Sequence, residues 1–325
     1  MGQILTVSAA SKHLLHWILI VFGIIFLTFA GCSANEHEKP SEKTGDEHMS
    51  EPSHPDYSSL DHREILALLF HPRPEWSGHG HIDGVEDLSI PVADGVSIGG
   101  KLYGTAKSAP VILFFHGNGE IVSDYDDLGP VYTKMGINFL PVDYRGYGRS
   151  TGSPTVTNMM HDCHVIFDYI NKWLKQRDCD GPMIIMGRSL GSASALELAF
   201  HYQSEIDGLI IESGFADIIP LLRLVGVDVN RLGIGEKDDL HHLDKIRSFN
   251  KPLLVIHAEY DHIIPFSDGQ ALFEACSSPD KRFLKIPDAN HNNIFALGLE
   301  MYLKEVKMLV EEVIKQKAHD SNRSN

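Results

Sequence analysis

The sequence predicts an α/β fold, a mostly parallel central sheet with helices on both faces, and three observations carry that reading. Short apolar runs at residues 109–115, 137–144, 182–186, 207–213, 252–258 and 282–287 have the length of buried strands. Helical patterns separate them, with apolar residues three and four positions apart. Glycine-rich loops follow several of the runs directly, at the strand ends where such sheets collect their chemistry.

Taken in order, residues 88–104, LSIPVADGVSIGGKLYG, read as a hairpin turning at Asp94-Gly95. The run APVILFF (109–115) ends in His116-Gly117-Asn118-Gly119, and INFLPVDY (137–144) enters the loop RGYGRSTGSP. The helix that follows shows its stripe at Met159, Cys163, Ile166, Ile170, Trp173 and Leu174. Strand 182–186 meets Gly187-Arg188-Ser189-Leu190-Gly191 and a helix to about His201. Residues 214–250 are too long for a simple crossover and read as a small helical insert, partly a cap over the sheet. Apolar residues crowd its first half, among them Ile218, Ile219, Leu221, Leu222, Leu224, Val225, Val227 and Val229. They either line an acyl pocket or simply pack the insert onto the sheet. An amphipathic helix from about Leu299 to Lys315 ends the pattern. No internal repeat is visible, so residues 61–325 form one domain.

The N-terminus reads as targeting rather than fold. The run WILIVFGIIFLTFA (17–30) would span about 21 Å as a helix, short of the roughly 30 Å hydrocarbon core, and this favours a signal peptide over residues 1–31. Phe29-Ala30-Gly31-Cys32 resembles a bacterial lipobox, with Phe29 in place of the usual leucine. Cys32 is then the lipidated residue, and the protein is anchored in the cell envelope facing the periplasm. The alternative is an uncleaved N-terminal membrane anchor. Residues 32–60 are polar and rich in Ser, Pro and Glu, a tether too poor in apolar side chains to offset ordering entropy. Its histidines, with His71, His79 and His81 beyond, are irregularly spaced without accompanying cysteine and read as solvated linker residues.

Composition narrows the function. A net charge of −16, with 44 acidic against 28 basic residues and no Lys/Arg run, argues against nucleic acid as a partner. Beyond Cys32 only Cys163, Cys179 and Cys276 remain, too few for a disulfide framework. Phosphate-binding glycine motifs are absent, so no nucleotide cofactor is implied, and the catalytic residues identified below require no metal.

One serine stands between two glycines where a buried strand becomes a helix, and that is the logic of a nucleophile elbow. Gly187 and Gly191 allow the sharp turn, while Ser192, Ala193 and Ala195 let the helix approach the sheet. Serine needs a base, held in its tautomer by an acid. Asp261 follows one buried strand and His291 follows the last, giving the order serine, acid, histidine. Glu212 and Asp268 compete for the acid's place, and Asp288 is assigned to a turn. A developing oxyanion needs backbone N–H donors. Leu190 supplies one, and Asn118, with Gly119 next, is the candidate for the second.

FFHGNGE, DYRGYGRSTGSP, MGRSLGS, HAEYDHIIP and NHNN together resemble the α/β-hydrolase superfamily over about residues 85–317. The nearest branch has an HGN oxyanion loop and includes protein depalmitoylases and monoacylglycerol-lipase-like enzymes. The resemblance implies an α/β-hydrolase fold with Ser189, Asp261 and His291 as nucleophile, acid and base, acting on an acylated substrate. Asp143, Arg145 and Gly148 match family positions assigned to structure. The expected function is a membrane-tethered serine hydrolase of an ester or thioester bond. A serine peptidase on the same fold is the alternative, and a non-catalytic envelope lipoprotein is the contrasting class.

Overall fold

The computed structural model of the protein describes residues 56–75 and 84–324, which include an eight-stranded sheet in the order β1-β2-β4-β3-β5-β6-β7-β8. β1 (Val85–Ala93) and β2 (Val96–Tyr103) form the hairpin, with Gly95 at positive φ in its turn. β2 runs antiparallel to β4 (Asn138–Val142). The remaining pairings are parallel and join β3 (Val111–Phe115), β4, β5 (Met183–Arg188), β6 (Gly208–Glu212), β7 (Leu253–Ala258) and β8 (Lys281–Ile286).

All residues of β3 to β7 are buried, which is why these strands read as continuous apolar runs rather than as alternations. Val111, Leu113 and Phe115 face one core layer, and Ile112 and Phe114 face the other. The first layer takes α3 (Val156–Lys175), α4 (Gly191–His201), α6 (His242–Arg247) and α7 (Phe266–Ala275). The second takes α2 (Gly129–Lys134) and α8 (Ile294–Ser324). The predicted stripe of α3 is buried throughout, and Thr155 caps that helix by accepting from the Asn158 N–H. β4 lies on one side of β3 and β5 on the other, so the chain changes direction across β3. The carboxyl ends of β3 and β5 therefore open the crevice where sheets of this kind bind ligands.

Three boundaries differ from the sequence reading. The tether was expected to run to residue 60, yet residues 56–60 belong to the folded unit. Tyr57 and Leu60 are buried around a short 3-10 turn, Ser58–Leu60, and the Tyr57 hydroxyl donates to Glu197 at 3.1 Å. Two anchors in a polar stretch leave no periodicity to detect. The insert at 214–250 divides by role. α5 (Ile218–Leu224) lies beside the crevice, whereas α6 packs on α4 and α7 as an ordinary crossover helix. α8 begins before and continues beyond the expected 299–315, because its polar C-terminal turns carry no apolar stripe.

Cys163, Cys179 and Cys276 are free thiols, and Cys163 is buried as a small apolar side chain. No helix among the described residues is long and apolar enough to cross a membrane. The predicted signal segment, Cys32 and the tether up to residue 55 lie outside the described residues.

Candidate active site

Ser189 sits between β5 and α4 at φ 51°, in the left-handed region that side-chain-bearing residues rarely occupy. Such a conformation costs about 1–3 kcal/mol and persists only where its surroundings enforce it. A side chain at Gly187 would collide with the Gly191 carbonyl and Ala195, and one at Gly191 with the Phe115 carbonyl. Both glycines are thus required by close backbone approach. The Ser189 N–H donates to the Glu212 carbonyl at 2.8 Å, and the Ser192 hydroxyl to the Ser189 carbonyl at 2.7 Å, fixing the turn from both sides.

The structure brings the three sequence-predicted side chains into one hydrogen-bonded row. Ser189 Oγ is 3.0 Å from His291 Nε2, and His291 Nδ1 is 2.7 Å from Asp261 Oδ2. The other Asp261 oxygen accepts from the Ile264 and Ile263 N–H groups, at 2.8 and 3.0 Å. Burial pushes the Asp261 carboxyl up, but the hydrogen bond and charge of His291 and the two N–H donors outweigh it and hold the group below its ordinary value. His257 lies behind this row, its Nε2 3.0 Å from the Ile264 carbonyl and 3.7 Å from Asp261, with burial lowering its pKa.

The competing acids are engaged elsewhere. Glu212 is fully buried, receiving Arg188 Nε at 2.9 Å and the Tyr302 hydroxyl at 2.8 Å, and burial raises its pKa. Asp268 accepts from the Ala216 N–H, and Asp288 adopts a positive φ in its turn. Asp143 accepts from the Val122 N–H and Arg145 pairs with Asp162, both in keeping with the structural reading.

Asn118 and Leu190 border the cleft together with Ser189. Neither backbone N–H donates to an acceptor among the described residues. The cleft encloses about 580 Å³, its open mouth included, and its walls are mainly apolar: Leu68, Leu69, Val156, Met159, Phe215, Ile218, Leu221, Val225 and Ile263. Ile218, Leu221 and Val225 share one face of α5 and its end, at helical spacing. Leu222 is instead buried in the core and Leu224 is exposed, so part of the apolar group borders the cleft beside Ser189 and part packs the insert onto the sheet.

Two parts of the site were not singled out from sequence. Arg188, the second residue of the elbow, is buried and binds Glu212, Glu120 and the His291 carbonyl, the last at 2.8 Å. Glu120 in turn accepts from the Gly117 N–H at 2.7 Å and the Tyr125 hydroxyl at 2.6 Å. One guanidinium therefore joins the HGNGE loop to the loop of His291. The second part is the stretch around α1 (Arg63–Leu69), which carries Leu68 and Leu69 into the cleft wall. Downstream of it, the Asn118 amide engages the His71 N–H and Nδ1, and Arg73 Nε donates to the Gly119 carbonyl at 2.7 Å. His71 is thus pinned to the loop rather than being a free linker histidine. The tetrapeptide HPRP (71–74) carries no recognisable signal for this role. His37, His48, His54, His79 and His81 lie outside the described residues.

A strained serine in a Ser–His–Asp row, at the switch point of a doubly wound sheet, defines a class: the chain has the α/β-hydrolase fold, and its sequence is similar to serine hydrolases built on that fold. Residues 106–232 match the family described as serine aminopeptidase, S33. The human alpha/beta hydrolase domain-containing protein 17B is 32% identical over 209 residues, covering 62% of this chain and 66% of that protein. The lysophosphatidylserine lipase ABHD12 of Xenopus tropicalis is 34% identical over 189 residues, covering 52% and 47% respectively. The chain thus spans between about half and two thirds of the length of these curated relatives. Among solved structures, the Pyrococcus furiosus esterase Pf2001 aligns with a TM-score of 0.60 at 18% identity, covering 74% of this chain and 98% of that one. A monoglyceride lipase from Saccharomyces cerevisiae aligns at 0.56 and 17%, covering 73% and 97%. These likenesses show the fold.

Proposed function

We propose that this protein hydrolyses the ester or thioester bond of an acylated substrate through Ser189, His291 and Asp261. The observation that carries the reading is the strained Ser189, with its Oγ 3.0 Å from His291 Nε2, at the floor of an apolar cleft. His291 Nε2 takes the Ser189 proton as Oγ attacks the acyl carbonyl, and Asp261 stabilises the imidazolium that forms. The Leu190 and Asn118 N–H groups donate to the developing oxyanion. His291 then protonates the leaving alcohol or thiol, and a water activated by the same imidazole releases the acid from the acyl-enzyme.

The apolar wall favours an acyl chain over an aminoacyl group, and a lysophosphatidylserine lipase among the relatives points to a lipid ester. The family description keeps peptidase action as the second reading. The reading includes membrane attachment through Cys32, or through the apolar run before it, which would bring the cleft to acylated substrates at a lipid surface.

A fluorophosphonate probe tests the chemistry. Wild type is expected to label at one serine, and Ser189→Ala to remain folded and unlabelled. Labelling of the folded variant at wild-type level would sink the assignment.

A further inference from the structure

Away from Ser189, on the flank where α3 and α4 meet, two imidazoles converge on one carboxylate oxygen. His164 Nε2 and His201 Nε2 each lie 3.3 Å from Glu197 Oε1. The three ligand atoms lie within 4.8 Å of one another, and among the described residues no other trio of His, Cys, Asp or Glu is gathered this way. We propose that His164, Glu197 and His201 form a binding site for a divalent transition metal of the zinc class, separate from the hydrolytic site.

Three observations support the assignment. Zinc bonds of 2.0–2.1 Å to nitrogen and oxygen place tetrahedral ligands about 3.3–3.4 Å apart, the spacing found on both sides of Glu197. The supporting shell is present: His164 Nδ1 lies 3.1 Å from the Tyr202 hydroxyl, a partner of the kind that fixes the tautomer of a metal-binding imidazole. The second Glu197 oxygen is held by Lys245 at 2.5 Å and Tyr57 at 3.1 Å, which leaves Oε1 turned to the imidazoles. Finally, an entry path exists, since His164 and Glu197 are buried while the His201 side chain is 30% exposed. Water takes the fourth position on that side.

Binding needs no net loss of protons from neutral imidazoles. Each ring moves its proton from Nε2 to Nδ1, and His164 then donates to Tyr202. The Lys245 ammonium adds positive charge nearby and makes the site weaker than an isolated His2Glu set. The metal would join α3 to α4 and, through the far oxygen of Glu197, reinforce the anchorage of Tyr57 and α6.

The test uses the tag-free full chain, stripped with chelator and titrated with Zn²⁺ and then with Co²⁺. Wild type should bind one equivalent, give the intense visible spectrum of tetrahedral Co²⁺ and gain in Tm. His201→Ala, at a part-exposed position, should keep its fold by circular dichroism yet lose that equivalent, the spectrum and the Tm gain. The chain's other histidines are unchanged in this variant, so it separates the site from incidental binding. Tyr202→Phe should weaken binding by about 10- to 100-fold. No binding by wild type, or unchanged affinity in either variant, would overturn the proposal.

Discussion

Replacing Leu221 with aspartate tests what the cleft recognises. Leu221 stands between Ile218 and Val225 on the face of the insert that lines the cleft of Ser189, together with Leu68 and Leu69. Each acyl methylene drawn from water into such a wall contributes up to about 0.8 kcal/mol, or roughly fourfold in kcat/KM. Lengthening a butanoyl ester to an octanoyl ester adds four methylenes, about 3 kcal/mol and an upper limit of roughly 200-fold. The open mouth of the cleft keeps the measured gain below that limit. A carboxylate at position 221 must stay hydrated, so the slope of log(kcat/KM) against chain length should flatten while acetyl ester hydrolysis changes little. Leu222→Ala is the control one residue away. It faces the core, so it should cost about 2–5 kcal/mol of stability and leave the slope intact. A series of p-nitrophenyl esters reads both effects. A flat wild-type profile, or equal slopes in wild type and Leu221→Asp, refutes the acyl-cleft reasoning, and a flat profile with faster aminoacyl amide cleavage favours the peptidase.

Asp261→Asn should lower kcat by about 10⁴-fold, whereas Glu212→Gln should shift Tm and spare kcat; the reverse result reassigns the acid. The folded Asp261 pKa is depressed, so its stabilisation is fully present above its ordinary value of 3.8 and lost as pH falls through the folded value. The difference in unfolding free energy between wild type and Asp261→Asn should therefore be constant above about pH 4 and shrink only below it. Arg73→Ala removes the bond to the Gly119 carbonyl and the ion pair with Asp124, and a loosened oxyanion loop should cost up to about 100-fold in kcat with the fold intact. Unchanged kcat would make that arginine merely structural. Cys32→Ser should release the protein from the membrane fraction, and a variant still bound, with wild type also retaining residues 1–31, supports the uncleaved anchor.

The parallel strands were legible because burial on both faces forces unbroken apolar runs, and the elbow because only glycine fits at 187 and 191. Ser189, Asp261 and His291 could be picked out because each follows a strand run, and the structure gathers them within hydrogen-bonding distance. The wall of the cleft was only half legible. The composition of 214–229 announced apolar surface, but which side chains face Ser189 depends on helical phase, and Leu222 and Leu224 point elsewhere. The contribution of 56–75 was hidden for a different reason. Its hold on the Asn118 loop is made by single polar contacts to residues far along the chain, and such contacts leave no periodic trace. Arg188 could not be judged either, since a charged residue in a motif reads as exposed until its two carboxylate partners are seen.

That arginine has a mechanical consequence. It is a rigid planar strut with one face of its fork on the floor of β6, one arm on Glu120 and another on the carbonyl of His291. Two loops carried by distant stretches of chain are thereby tied to one side chain, so a displacement of either should be felt by the other. Heating should consequently degrade the arrangement around Ser189 in a single step rather than loop by loop. Grafting a foreign loop in place of residues 116–120 should therefore disturb the histidine's position, unless the graft keeps a carboxylate where Glu120 meets Arg188.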